Sequence, residues 1–288
     1  MWVRQANPLR RAEPTSDAAR WLRAKVGQLA VPRHAFAEAH RNQATAEALA
    51  LELEHYGYAV GLQGPHRNVV ALPRGTQGPL TLVCAHYDSV PGTPGADDNA
   101  SAVAVMLAVA RRSRPDVAFV AFNREEDGLL GSADFVRWLG TEEAPAVREV
   151  HVLEMVGYTD PRAGSQRLPP FLPRWLLPRD RGDFVALVGL GAGHRMAAAV
   201  RRTGEGALGV PPVVSLQAPR ALLGWAPDLG RSDHLPFLEG GLPAVMWTDT
   251  AEFRTPHYHR RSDTPDTLDY AFMAGVQRLL ELHLEGAG

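Results

Sequence analysis

Carboxylates and imidazoles recur in this 288-residue chain beside apolar runs that a folded polypeptide would bring together. His86 and Asp88 close the run Leu80-Thr81-Leu82-Val83-Cys84-Ala85, and Asp97-Asp98-Asn99 ends a Pro/Gly-rich stretch. Glu125-Glu126-Asp127 follows the run 117–122, Glu154 lies inside the run 150–156, and His257 and His259 come late in the chain. Acids gathered at one place repel one another unless cations offset them. Histidine with carboxylate, and no cysteine among the candidates, is a ligand set that suits hydrolytic Zn2+. Each residue alone has a simpler reading. Glu-Glu pairs mostly face solvent, a single histidine can be a satisfied core residue, and Asp97 and Asn99 are of types that cap a following helix. Glu154 is harder to dismiss, because an unpaired carboxylate inside an apolar run is costly to bury.

These residues need elements to position them. A serine-capped helix is expected over 16–30, and a second over 42–56, with Ala44, Ala48 and Leu51 on one face and Gly57 as its stop. Strands are expected at about 58–62, 67–72 and 80–86, the last apolar throughout, as a strand buried on both faces would be. Next come an apolar helix over 99–112, a strand 117–122, a helix 129–139 and a strand 150–156. A long Pro- and Arg-rich excursion spans 159–182, and loops of that length tend to be functional or mobile. The pattern resumes with a strand 184–188, a helix 193–203, a helix–strand segment over 233–249 and an amphipathic helix over 267–284. Strands alternating with helices predict a three-layer α/β/α sandwich around a mostly parallel, mixed sheet. In such a sheet ligands bind beyond the carboxyl ends of the strands, where the acids and histidines fall. With no repeat and no evident linker, a single domain over 1–288 is expected, with 1–40 as a helical extension and 159–182 near the site.

Composition excludes other classes. Hydrophobic residues make up 45% and charged residues 22%, ordinary for a globular chain and too apolar for a disordered one. One cysteine, Cys84, cannot build a disulfide scaffold and is expected to be a small buried residue. The longest apolar run, Ala102 to Ala110, is far short of the roughly 20 residues a membrane span needs. The N-terminal residues show no apolar core of a secretory signal, so a cytoplasmic location and no membrane partner are expected. A net charge of −2 provides no basic field for nucleic acid. The basic residues are all arginine except Lys25, and they are scattered.

Four segments in order carry a resemblance: His86-Tyr87-Asp88-Ser89, Gly95-Ala96-Asp97-Asp98-Asn99-Ala100-Ser101, Glu125-Glu126-Asp127-Gly128-Leu129-Leu130-Gly131-Ser132, and Tyr258-His259. The chain resembles the M28 family of zinc aminopeptidases, exopeptidases with two metals acting together. Ser232-Asp233-His234 upstream of Gly241-Leu242-Pro243 also looks like that family, and the similarity spans about 40–280. The resemblance implies two zinc ions per chain. His86 and Glu154 would bind the first, Glu126 and His259 the second, and Asp98 would bridge them. Three carboxylates and a bridging hydroxide would then neutralise the pair. Glu125 would be the general base and then acid, and Tyr258 would donate to the developing oxyanion. Asp88, two residues after His86 on the same side of the strand, would accept the other imidazole N–H and fix the tautomer. The chain departs from the family in having Glu154 where many relatives have Asp, and Ala102 where the family has Gly. His257 competes with His259, which is favoured because it directly follows Tyr258.

The expected function is a metal-dependent exopeptidase, an aminopeptidase acting on peptides. Arg231, Asp233 and His234 are candidate substrate-binding residues, with a surface arginine and a helix cap as the alternatives. Phe171, Leu172, Trp175, Leu176 and Trp225 would wall the side-chain pocket. His34, His40, His55, His66 and His283 are expected at the surface. A single-zinc acyltransferase of the glutaminyl cyclase type is the competing reading, opposed by Tyr258 where that group has Trp. A carboxypeptidase or amidase on the same scaffold, and a silent binding domain, are the others. The oligomeric state does not follow from the sequence.

Overall fold

A computed structural model describes residues 13–286 except 76–77, 113, 170–172, 174 and 176–177. Two helices lead: α1 (Asp17–Leu29), whose first turn is capped by the Ser16 hydroxyl accepting from the Ala19 amide, and α2 (Ala39–His55). Then follow β1 (Ala59–Gln63), β2 (Asn68–Leu72), β3 (Leu80–His86), α3 (Ala102–Ala110), β4 (Val117–Phe122), α4 (Leu130–Leu139) and β5 (Val147–Glu154). The second half holds β6 (Val185–Leu190), α5 (His194–Gly204), β7 (Val213–Ala218), α6 (His234–Glu239), β8 (Ala244–Thr248) and α7 (Tyr270–Gly286).

The strands form one eight-stranded sheet in the order β1-β2-β4-β3-β5-β8-β6-β7. β4, β3, β5 and β8 run parallel, while β2 against β4 and β6 against β8 are antiparallel. Strand side chains alternate between faces. In β3, Val83 and Ala85 pack with α1, α2, α3, α5 and α7, while Leu82 and Cys84 pack with Phe135 of α4 and Phe237 of α6. The expected α/β/α sandwich with a mixed, mostly parallel centre is what forms. Since the four central strands are parallel, their carboxyl ends share one rim.

Several local expectations are corrected. The buried face of α2 is Asn42, Thr45, Ala46, Leu49 and Leu53, and Leu51 is 67% exposed. Alanine fits either face, and inward-pointing Asn42 is satisfied by Arg33 O and Asn123 Oδ1. The α-helix expected from Asn99 starts at Ala102, because residues 97–101 are bonded to the end of β5 instead. β7 was hidden within 204–232, since a sheet-edge strand with half-buried faces has only a weak pattern. His34 and His283 are buried. Cys84 is buried as expected. No helix among the described residues is long and apolar enough to cross a membrane.

Candidate metal centre

His86 ends β3, Glu154 ends β5, Glu125 and Glu126 follow β4, and Tyr258 and His259 lie on the loop beyond β8. The turn after β4 is tight: Arg124, Gly128 and Leu129 all have positive φ, and the Gly128 and Leu129 amides both donate to Glu125 O. Gly131 follows because a Cβ there would meet Asn123 O at 2.1 Å. Asp88, fully buried, accepts from the Glu125 and Glu126 amides, each at 3.3 Å, and lies 3.4 Å from His86 Nδ1. One carboxylate thus holds the Glu125–Glu126 pair and faces the imidazole.

Asp97 and Asn99 do not cap a helix. Asp97 Oδ1 accepts from Gly157 N, and Asn99 accepts from Met155 N and donates to Leu153 O. These bonds fasten the segment to the end of β5 and set Asp98 beside Glu154. Asp263 accepts from the Asp97 and Asp98 amides at 2.8 and 3.1 Å.

Asp98 faces two groups of ligand atoms. Its Oδ1 is 3.3 Å from His86 Nε2, which is 3.5 Å from Glu154 Oε2. Its Oδ2 is 3.2 Å from His259 Nε2, which is 3.4 Å from Glu126 Oε2. Two ligand atoms each about 2.0–2.1 Å from one Zn2+ and at the tetrahedral angle lie about 3.3 Å apart, so each of the four spacings is one that two atoms sharing a zinc ion can have. Neither nitrogen of His86 has a hydrogen-bond partner although the ring is buried. The outer oxygens are held: Ser232 Oγ donates to Glu154 Oε2 at 2.8 Å, and the Val90 amide to Glu126 Oε1 at 3.1 Å. This donor set and its spacing fit zinc. His257 is elsewhere, with Nδ1 3.0 Å from Ser262 Oγ.

Electrostatics agree. Burial, reinforced by neighbouring carboxylates, raises the Glu125 and Glu126 carboxyls well above the usual range, with His86 opposing. Burial also opposes ionisation of Asp98, yet His259 and His86 hold its carboxyl below the usual range. Burial works against a proton on His86, but Glu125 and Glu154 favour it strongly.

A match to the model of peptidase family M28 covers residues 68–171 and 217–282. Uncharacterized protein YfbL of Escherichia coli (strain K12) is 38% identical over 235 residues, 74% of this chain and 68% of that protein. The chain belongs to peptidase family M28. It is therefore a metal-dependent peptidase by family. Aminopeptidase YwaD of Bacillus subtilis (strain 168) is 30% identical over 209 residues, 69% of this chain but 39% of that protein. BSAP, a zinc aminopeptidase from Bacillus subtilis, superposes with a TM-score of 0.57 at 28% identity, over 76% of this chain and 49% of that one. A glutaminyl cyclase from Porphyromonas gingivalis shares the fold alone, with a TM-score of 0.67 at 20% identity over 95% of this chain and all of that one.

In this M28 chain an apolar cavity of about 140 Å3 opens beside Glu154 and Tyr258, walled by Leu168, Phe184, Val188, Leu216 and Met246. Arg231 is at its edge. It ion-pairs with Asp228 and Glu252 and donates to Tyr258 Oη at 3.0 Å. Burial raises the Tyr258 hydroxyl above its ordinary value, so it stays a donor, and its ring stacks on His259 at 3.7 Å. Asp233 and His234, expected to bind substrate, do not line the cavity: both are fully buried, and His234 Nε2 is 2.9 Å from Leu229 O. Trp175 and Trp225 do not line it either, being 81% and 77% exposed. Phe171, Leu172 and Leu176 lie outside the described residues. The loop 159–182 and the segment 204–232 do shape the cavity, through Leu168 and Leu216, and β6 and β8 add Val188 and Met246.

One further cluster, Glu149, His151 and His283, has ligand-like spacing. Trp247 Nε1 donates to His151 Nδ1 at 3.1 Å, so Nε2 of a neutral His151 carries the proton and has no lone pair for a metal.

Proposed function

We propose that the chain is a dizinc aminopeptidase that releases N-terminal residues with apolar side chains from peptides. The observation that carries this reading is Asp98, whose two oxygens face separate histidine–carboxylate sets at 3.2 to 3.5 Å. His86, Glu154 and Asp98 would hold one Zn2+, and His259, Glu126 and Asp98 the other. Bound there, the pair would lower the pKa of water and polarise the scissile carbonyl.

The chain's own groups supply the rest. Asp88 would accept a hydrogen bond from Nδ1–H of His86 and leave Nε2 with its lone pair. Glu125, with Oε2 4.0 Å from His86 Nε2 and a carboxyl raised by burial, takes a proton from water and returns it to the departing amine. The Tyr258 hydroxyl, fixed by Arg231, donates to the oxygen that becomes negative. Glu125 and Glu154 give a free ammonium terminus its counter-charge. The cavity approaches the size of one known to hold benzene, about 150 Å3, which suits a leucine- or phenylalanine-sized side chain.

The test pairs metal content by mass spectrometry with hydrolysis of aminoacyl-anilides before and after chelation. Two zinc ions and chelator-sensitive release of apolar residues are expected. One zinc, no hydrolysis and cyclisation of N-terminal glutamine would establish the acyltransferase reading instead.

A further inference from the structure

Between α1 and α2 runs a short connection, residues 30–38, that contributes nothing to the sheet. Arg33 within it is 1% exposed. Its guanidinium donates only to backbone carbonyls: Nε to Tyr87 O at 2.6 Å, Nη1 to Leu29 O and Val31 O at 3.1 Å and to Pro94 O at 2.6 Å, and Nη2 to Gly95 O at 3.0 Å. Tyr87, Pro94 and Gly95 belong to the loop that separates His86 from Asp98. The Arg33 amide donates to Ser89 Oγ in the same loop. Glu38, at the end of the connection, accepts from Gly92 N, and His34 Nε2 is 3.4 Å from Asp127 in the turn after β4.

No carboxylate lies within ion-pair distance of Arg33 among the described residues, yet carbonyls alone do not offset the cost of burying a cation. Burial holds the Arg33 guanidinium below its ordinary value, and the acids just beyond the loop, Asp88, Asp98, Asp263 and Glu126, oppose that. The planar fork matches converging acceptors that a point-like ammonium cannot reach together. The loop has no slack at its far end. Gly95 has φ +59°, and a Cβ there would sit 2.3 Å from Asp98 O and 3.2 Å from Arg33 Nη1.

We infer that Arg33 is a positioning residue: its guanidinium holds the loop from His86 to Asp98 in the shape that accepts metal, before metal arrives. The inference rests on reading His86 and Asp98 as metal ligands. It makes the connection between α1 and α2 part of the metal centre.

Three measurements on the full chain test it. Zinc affinity by chelator competition is expected to weaken 10–100-fold in Arg33→Met, the usual range for a lost outer support of a metal ligand. Arg33→Lys keeps the charge without the fork and is expected to recover only part of the loss. The visible absorption of the Co2+-substituted protein should change in both. Ser16→Ala removes the cap of α1 away from the site and is expected to leave affinity and spectrum unchanged, which separates positioning from general destabilisation. Hydrogen exchange of wild type stripped of metal needs no variant: the Val90, Gly92 and Thr93 amides are expected to be protected already. Protection appearing only with zinc would overturn the inference. So would wild-type affinity and spectrum in both Arg33 variants. No uptake of zinc or cobalt by wild type would overturn the ligand reading and the inference with it.

Discussion

Replacing Asp88 with Asn tests how the site is held together. Asp88 touches no substrate position and is fully buried, yet it accepts from two amides at 3.3 Å and lies 3.4 Å from His86 Nδ1. Asparagine has nearly the same shape but only one acceptor oxygen. Its NH2 group must face either a backbone N–H or the imidazole N–H, leaving a buried donor unsatisfied at a cost of about 1–3 kcal/mol. If the NH2 faces His86, the ring is pushed to the other tautomer, and Nε2 carries the proton where a lone pair is needed. The loss of a support of this kind costs 10–100-fold in metal affinity or activity, or about 1.4–2.7 kcal/mol at 1.36 kcal/mol per decade. Asp88→Asn is therefore expected to bind zinc 10–100-fold more weakly in a chelator competition, with kcat falling at least in proportion at limiting metal. Asp88→Asn with wild-type zinc affinity and wild-type kcat would refute the tautomer argument.

Glu125→Gln should retain its zinc by mass spectrometry while kcat falls by about 10²–10⁴, the usual worth of a positioned acid–base group. A variant that loses metal instead would make Glu125 a ligand. Leu216→Trp fills the apolar cavity and should lower the ratio of kcat/KM for leucyl- over alanyl-anilide at least tenfold, since one methylene in such a site is worth about 1–3 kcal/mol. An unchanged ratio would place the side-chain pocket elsewhere. The His283 ring is shifted down to about 4 by burial and then by His151, from an ordinary 6.5. The unfolded chain thus takes up a proton, as pH falls from 6.5 to 4, that the folded chain refuses. Stability should drop across that window, by at most about 3 kcal/mol from this group. Urea unfolding at pH 7.5 and pH 4.5 should show a smaller difference for His283→Asn than for wild type, and an equal difference would refute the assignment.

Most of the candidate centre was legible because its parts are local in sequence. His86, Glu125, Glu126 and Glu154 lie at or near the ends of apolar runs, a parallel sheet sends the ends of such runs to one rim, and Asp98 closes the Pro/Gly-rich loop beside them. The buried strands β3 and β4 announced themselves by composition. The second helix misled because its inward face carries Asn42, bonded to Arg33 O and Asn123, and Thr45, whose hydroxyl donates to Arg41 O, rather than apolar residues alone. β7 was lost because an edge strand shows little pattern.

The sequence by itself determined the fold class, the family and the residue types at the rim, since these depend on short-range periodicity and on motifs a few residues long. Tertiary structure alone decided which partners those residues have. Asp263 holds the Asp97 and Asp98 amides, and Ser232 holds Glu154. It also decided that β6 and β8 join the 159–182 loop around the cavity, and that Arg33 reaches Tyr87 and Gly95 from more than fifty positions away. The physical reason is common to all of these. A buried polar atom must find a partner wherever the packing puts one, and that partner need not be near in the chain.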